Sequence, residues 1–231
     1  MTTPAYDTEV LQAATERLLD AVREGSPAVA EPSLLPGWTR GHVLTHLARN
    51  ADALVNVLHG RPMYENAQAR DADIEAGAAR PLSEQYEDVR TTAAGLAEVM
   101  AGLTDAQWRE TVALRNGVTD TADSIPFRRL VEVELHHVDL AVDYTLDELP
   151  GGFTDRAVGY LARRFSGRSD VPALELRAED GRSWTTGALP ASDGERLVVV
   201  GGPGALVGWL AGRSTGSGLT ASAPLPTLPA L

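Results

Sequence analysis

The stretch RRLVEVELHHVDLAVDY, residues 128–144, decides how the rest of the chain is read. Its apolar spacing is helical, yet Glu132, Glu134, His136, His137 and Asp139 crowd into about two turns. Polar groups inside a protein cost free energy unless solvent, a hydrogen-bond partner or a metal ion satisfies them. Phe127, Val131, Leu135, Val138 and Val142 form the main apolar stripe, and Glu132, His136, Asp139 and Asp143 fall roughly opposite it. A solvated acidic face is one reading of that pattern. Val133, Leu140 and Ala141, however, spread apolar surface onto the remaining side. They favour a central helix whose polar strip lines a cavity. Glu134 lies near the apolar stripe and needs a partner there, whereas His137 reads as an ordinary hydrogen-bonded histidine.

Glu132 and His136 are four residues apart, so a helix stacks them on one face. A carboxylate and an imidazole so placed can hold one divalent ion, with a third ligand from another helix. The remaining histidines are His42, His46 and His59. His59 stands at a helix end beside Gly60. His42 and His46 are also i and i+4, and His46, flanked by Val43, Leu47 and Asn50, lies closer to the apolar face, so it ranks ahead of His42. Taken alone, such a histidine is more often structural than a ligand.

Working outward, the first two-thirds of the chain read as helices. Val10, Leu11, Ala14, Leu18 and Val22 recur at helical spacing. LLPGW is a loop, Thr39 a candidate N-cap, and Val43 to Leu58 a long helix with a broad apolar face. Residues 64–80 are polar and alanine-rich, with unsettled order. Helical periodicity resumes with LSEQYEDV, where Ser83 is the expected cap. A fourth long helix starts after Pro126, a residue tolerated in a first turn, and is expected to run to about Leu146. Four long helices suggest an up-and-down bundle. Past DELPGG the period shortens. A helix around Thr154 to Arg164 precedes the strand-like ALELRAED, RSWTTGA and ERLVVVGG, then a short helix in PGALVGWLAGR and a last strand in GLTASA. The Pro-rich tail, APLPTLPAL, reads as extended. The expected organisation is α+β, with a helical domain over residues 1–150 and a small α/β domain over 151–231.

Composition narrows the function classes. The chain has 231 residues, 43% of them hydrophobic, a formal net charge of −12 and no cysteine. An acidic balance argues against a nucleic-acid partner, which would need phosphates neutralised. A small anionic substrate is compatible with it only if a few arginines are concentrated at the site. No apolar run reaches the ~18 residues of a membrane span, and the N-terminus lacks a secretory pattern. A cytoplasmic location is the expectation. The chain itself can offer no thiolate.

Three segments, LLPGWTRGHVLTHLARNADAL, RRLVEVELHHVDL and GGPGALVGWLAGR, resemble in that order the mycothiol-dependent maleylpyruvate isomerase family. The resemblance covers nearly the whole chain. It implies an N-terminal DinB-like four-helix bundle that carries a divalent metal, usually zinc, and a small C-terminal α/β domain similar to sterol-carrier folds. Mapped by motif, the implied metal ligands are His46, Glu132 and His136. The family also directs an arginine of the C-terminal domain toward the site, and Arg213 in WLAGR matches it. Arg213 is thus expected to bind an anionic group of substrate or thiol.

Two histidines and a carboxylate leave an open fourth position, the pattern of a catalytic zinc site. The implied cofactor is mycothiol, a low-molecular-weight thiol that a metal can keep ionised. Isomerising maleylpyruvate to fumarylpyruvate requires the double bond to be removed briefly, and reversible thiolate addition does this. A metal-dependent transferase that passes mycothiol to another electrophile would start from the same thiolate. A non-enzymatic ligand- or protein-binding module is the remaining alternative. The sequence leaves open the oligomeric state and whether Arg49, Arg128 or Arg129 faces the site, with solvent exposure expected for at least one of the last two.

Overall fold

A computed structural model describes residues 3–188 and 195–229. The chain divides into two compact units, Met1–Tyr144 and Thr145–Leu231. Among the described residues, no helix is long and apolar enough to cross a membrane.

In the first unit, helix α1 (Pro4–Gly25) is capped by Thr3, whose side chain accepts from the Tyr6 amide, and it buries Leu11, Ala14, Leu18 and Val22 on one stripe. Helix α2 (Arg40–Leu58) begins at Thr39 in a reciprocal capping box with His42. Residues of unsettled order in the sequence include a true helix, α3 (Ala67–Ala78), started by the Asn66 side chain accepting from the Ala69 amide. Helix α4 (Leu82–Ala101) follows Pro81, which supplies no side-chain cap. Ser83 therefore lies inside the first turn rather than at the cap, a correction of the sequence reading. The buried Gln85 instead ties the start of α4 to α3, donating to the carbonyls of Ala78 and Arg80 at 3.0 Å each.

A short helix, α5 (Asp105–Trp108), and a two-stranded antiparallel hairpin, β1 (Thr111–Ala113) and β2 (Thr119–Thr121), precede helix α6 (Ile125–Asp139). The hairpin is absent from the sequence reading because its strands are only 3 residues each. Helix α1 packs against α6 and α4, and α2 packs against α4 and α6, which closes a ring of four long helices; α3 lies along α2.

Helix α6 stops at Asp139, well short of Leu146. Val142 and Leu146 prolong the apolar spacing, but Ala141 (φ 52°) and Asp143 (φ 53°) sit in the left-handed region, which interrupts a right-handed helix. The last carbonyls are taken by other segments. The Leu34 amide donates to Asp139 O at 2.9 Å and Arg40 Nε to Leu140 O at 2.9 Å. A solvated acidic face is also excluded, because α6 is buried almost all round, Asp139 included.

In the second unit, helix α7 (Gly151–Phe165) is followed by a four-stranded sheet ordered β4 (Ser183–Thr186), β3 (Leu174–Ala178), β5 (Leu197–Gly201), β6 (Thr220–Ala221). Strand β3 runs antiparallel to β4 and parallel to β5, and β5 antiparallel to β6. Leu174, Leu176 and Ala178 are buried while Glu175 and Arg177 pair with each other on the opposite face, the alternation a half-covered strand requires. Helix α8 (Pro203–Leu210) connects β5 to β6 and packs on α7. Residues 223–229 of the Pro-rich tail have no regular structure, and 230–231 lie outside the described residues.

Gly41 sets the spacing of α2 and α3, because a Cβ there would run into the backbone oxygen of Ala78. Gly41→Ala is expected to lower stability by about 1–3 kcal/mol through overpacking. Gly95→Ala, where a Cβ would meet nothing within 4 Å, is expected to raise it by about 0.5–1 kcal/mol. Denaturant midpoints at unchanged slope measure both.

Candidate metal centre

Two helices build the centre. His46 comes from the middle of α2, and Glu132 and His136 come from one face of α6. One ligand-capable atom from each of the three lies within 4.8 Å of the others. Glu132 Oε2 stands 3.1 Å from His46 Nε2 and 3.3 Å from His136 Nε2. The two imidazoles meet edge to face, 4.7 Å between centroids. Trp38, from the PGW segment, packs over them with its ring 5.5 Å from His46 and 6.5 Å from His136. Glu132 keeps 28% of its side-chain surface accessible, so the cluster is covered but not sealed.

The other candidates of the helix have different tasks. Glu134 finds its partners in Arg17 Nη2 and the Tyr144 hydroxyl, each donating at 2.6 Å. His137 stacks on Tyr144 at 3.9 Å between centroids. His42 is committed to the cap of α2: the Thr39 amide donates to its Nδ1, which leaves Nε2 to donate to Glu75 at 3.0 Å. His59 caps the end of α2 and contacts Arg61. Arg213 belongs to the second unit, where its Nη1 donates to Ala211 O at 2.6 Å.

The arginines left open by the sequence are also placed. Arg49 is bound to Asp88 and Asp52. Arg128 pairs with Asp120 at 3.2 Å. Arg129 is 1% exposed and donates to Asn50 Oδ1 at 2.7 Å. Solvent exposure is thus not the fate of either arginine that opens α6: one is half-buried and the other fully buried.

The electrostatics divide the two histidines. Burial lowers the His46 pKa to about 4, against the opposing pull of Glu132, so this imidazole is neutral at ordinary pH. Burial also opposes charge on His136, but hydrogen bonds to Asp139 and Glu132 outweigh it and raise the pKa. Burial disfavours charge on Glu132 too, yet the hydrogen bonds from His136 and His46 prevail and hold it well below the usual carboxylate range.

The donor set fits a divalent ion. His136 Nδ1 is held by Asp139 Oδ2 at 2.8 Å, the carboxylate–histidine pairing that orients metal-ligating imidazoles. His46 Nδ1 instead accepts from Arg70 Nη2 at 3.3 Å. Binding at Nε2 requires the other tautomer, in which Nδ1 carries the proton and no longer accepts from Arg70. Sequence reasoning assigned no role to Asp139 or Arg70. The i, i+3 spacing of His136 and Asp139 could have exposed the first. Arg70 left no local signal, since only the packing of α3 on α2 brings it near.

Residues 11–141, which include all three members of the cluster, match the family profile described as the mycothiol maleylpyruvate isomerase N-terminal domain. The structure is similar to the crystal structure of the mycothiol-dependent maleylpyruvate isomerase, with a TM-score of 0.87, 26% identity and 100% of each chain covered. It is equally similar to a mutant of that enzyme in which a histidine is replaced by alanine, with a TM-score of 0.87, 25% identity and 100% of each chain covered. No curated protein matches the sequence.

Imidazole NMR of metal-stripped protein should show His46 neutral until the pH falls to about 4 and His136 still charged above the ordinary histidine midpoint. The sign for His46 follows from linkage: the unfolded chain takes up that proton first as pH falls from about 6.5, so this group makes stability decline down to its folded pKa of about 4. Two histidines titrating together near the ordinary value would contradict this assignment.

Proposed function

The chain belongs to the mycothiol maleylpyruvate isomerase family, and from that premise we propose that it is a metal- and mycothiol-dependent cis–trans isomerase converting maleylpyruvate to fumarylpyruvate by reversible addition of the thiol. It is an enzyme, as are the family and both structural neighbours, so the non-enzymatic alternative falls away. The observation that carries the proposal is the convergence of His46, Glu132 and His136.

His46, Glu132 and His136 would hold a divalent ion, zinc by the chemistry of a two-histidine, one-carboxylate set. Bound there, the ion would supply Lewis acidity that lowers the pKa of a thiol. The chain contributes the rest. Burial keeps His46 neutral down to about pH 4, so a shift of its one proton to Nδ1 is enough to present a lone pair at Nε2. Asp139 fixes the ring of His136. Trp38 screens the imidazoles from bulk water. With no cysteine in the sequence, the sulfur must arrive on a small molecule. Arg213 is assigned to an anionic group of the substrate or the thiol.

Maleylpyruvate should be converted only when mycothiol is added, with the thiol recovered unchanged; a stable sulfur conjugate would make the enzyme a transferase instead. Wild type should carry one zinc per chain, and His46→Ala and His136→Ala should lose it by elemental analysis, while full occupancy in both would reject the ligand set. Arg213→Ala should keep its zinc and lose about tenfold or more in kcat/KM, the scale of one charge-assisted hydrogen bond.

A further inference from the structure

The first unit contains a cavity of about 630 Å³ formed by the end of α2, the segment leading into α3, and the β1–β2 hairpin. Leu58, Val112 and Leu114 give it an apolar wall; Arg61, Tyr64 and Arg115 give it a polar one, with Glu110 as its acidic member. Its size is ordinary for a small-molecule site.

Tyr64 links this cavity to the metal centre. The Arg70 guanidinium lies over its ring at 5.9 Å from the centroid, and the same guanidinium reaches His46 Nδ1 at 3.3 Å. The charges of Arg70, Arg115 and Glu132 all act on the Tyr64 phenol. Arg129 is close enough for Tyr64 and Glu132 to act on it in turn. Arg70 thus sits against the tyrosine, Arg61 and Arg115 share the cavity wall with it, and Arg129 feels the carboxylates of Glu132 and Asp52, in a chain whose overall formal charge is −12.

One guanidinium near this site is incompletely hydrogen-bonded. Arg129 is buried against a neutral amide, Asn50, and among the described residues its Nη2 has no acceptor. Arg70, with 13% of its side chain exposed, pairs through Nη1 with Asp71 at 2.6 Å and keeps Nη2 for His46. A buried guanidinium N–H with no acceptor costs free energy. Arginine also suits carboxylates geometrically, through paired N–H donors.

We propose that this cavity is the binding site for the carboxylate groups of the electrophile, a small dianion, with Arg61 and Arg115 engaging it on the cavity wall and Arg70 at the Tyr64 end beside the metal centre. The inference rests on the isomerase reading for the identity of the electrophile. It goes beyond that reading by placing the anion on arginines of the first unit. The apolar wall would receive the carbon chain between the charges.

The test uses phthalate, an unreactive molecule that holds two carboxylates on the same side. Calorimetry on the full chain without thiol should show binding that weakens with added salt. Affinity should fall about tenfold or more in Arg115→Gln, stay partly preserved in Arg115→Lys, and vanish in Ala113→Trp, which fills the cavity from an exposed strand position. In the same variants the KM for maleylpyruvate should rise while zinc content and the KM for mycothiol stay unchanged. Absence of phthalate binding to wild type, or equal binding by Arg115→Gln and Ala113→Trp, would overturn the assignment. Maleylpyruvate turnover with an unaltered KM in both variants would overturn it and leave the isomerase reading standing. Phthalate binding that is lost in both variants, in a protein that does not convert maleylpyruvate, would support the anion site and reject the isomerase reading.

Discussion

The contact on which the first unit depends is the Glu132 carboxylate accepting from two imidazoles. One oxygen is shared by His46 of α2 and His136 of α6, and this shared contact ties the separation and rotation of the two helices to a polar group between them. An ionised carboxylate in a covered position is tolerable only when it is paired and hydrogen-bonded. The rest of the local architecture supplies that satisfaction. Asp139 takes the far nitrogen of His136, the capping box at Thr39 fixes where α2 begins, and Trp38 covers the rings.

Much of this was legible in the residues because it is written in short-range periodicity. Thr39 as a cap, Pro126 in a first turn, the stacking of Glu132 on His136 and the alternation in LELRA all act within about one or two turns or a few strand positions. The features that escaped depend on distant chain or on backbone dihedrals. The end of α6 was overrun because Val142 and Leu146 keep the apolar rhythm, while left-handed Ala141 and Asp143 break it. Helix α3 was obscured by composition: its alanines and acids form no clear stripe, and its buried residues are only Ile74, Gly77 and Ala78. Arg70 came beside His46 only once α3 and α2 were assembled. Ser83 shows the opposite hazard, a good capping residue placed two positions after Pro81, the residue that actually starts the helix.

Charge is distributed unevenly for a physical reason. A surface rich in acids repels small anions at long range, within the reach that salt allows. Arg61 and Arg115 on the cavity wall and Arg70 beside Tyr64 place positive charge locally against that background. Because Arg129 is buried, its field is screened less than that of a surface cation. The segment that brings Arg70 is fixed by close backbone contact between Gly41 and Ala78, and by Gln85 bonding to the end of α3. The arrangement is therefore held before any ligand arrives, which is how a site avoids spending binding energy on rearrangement.

The Arg17–Glu134 pair has a consequence for how such a chain can change over generations. The two residues stand 117 positions apart and meet at 2.6 Å, with the Glu134 carboxylate enclosed and shared with Tyr144. Losing the arginine first strands a buried acid; losing the acid first leaves two donors without their acceptor. Drift through either single replacement is therefore obstructed, and descendants that dispense with the pair should replace both members together, leaving correlated substitutions at two positions far apart in the chain.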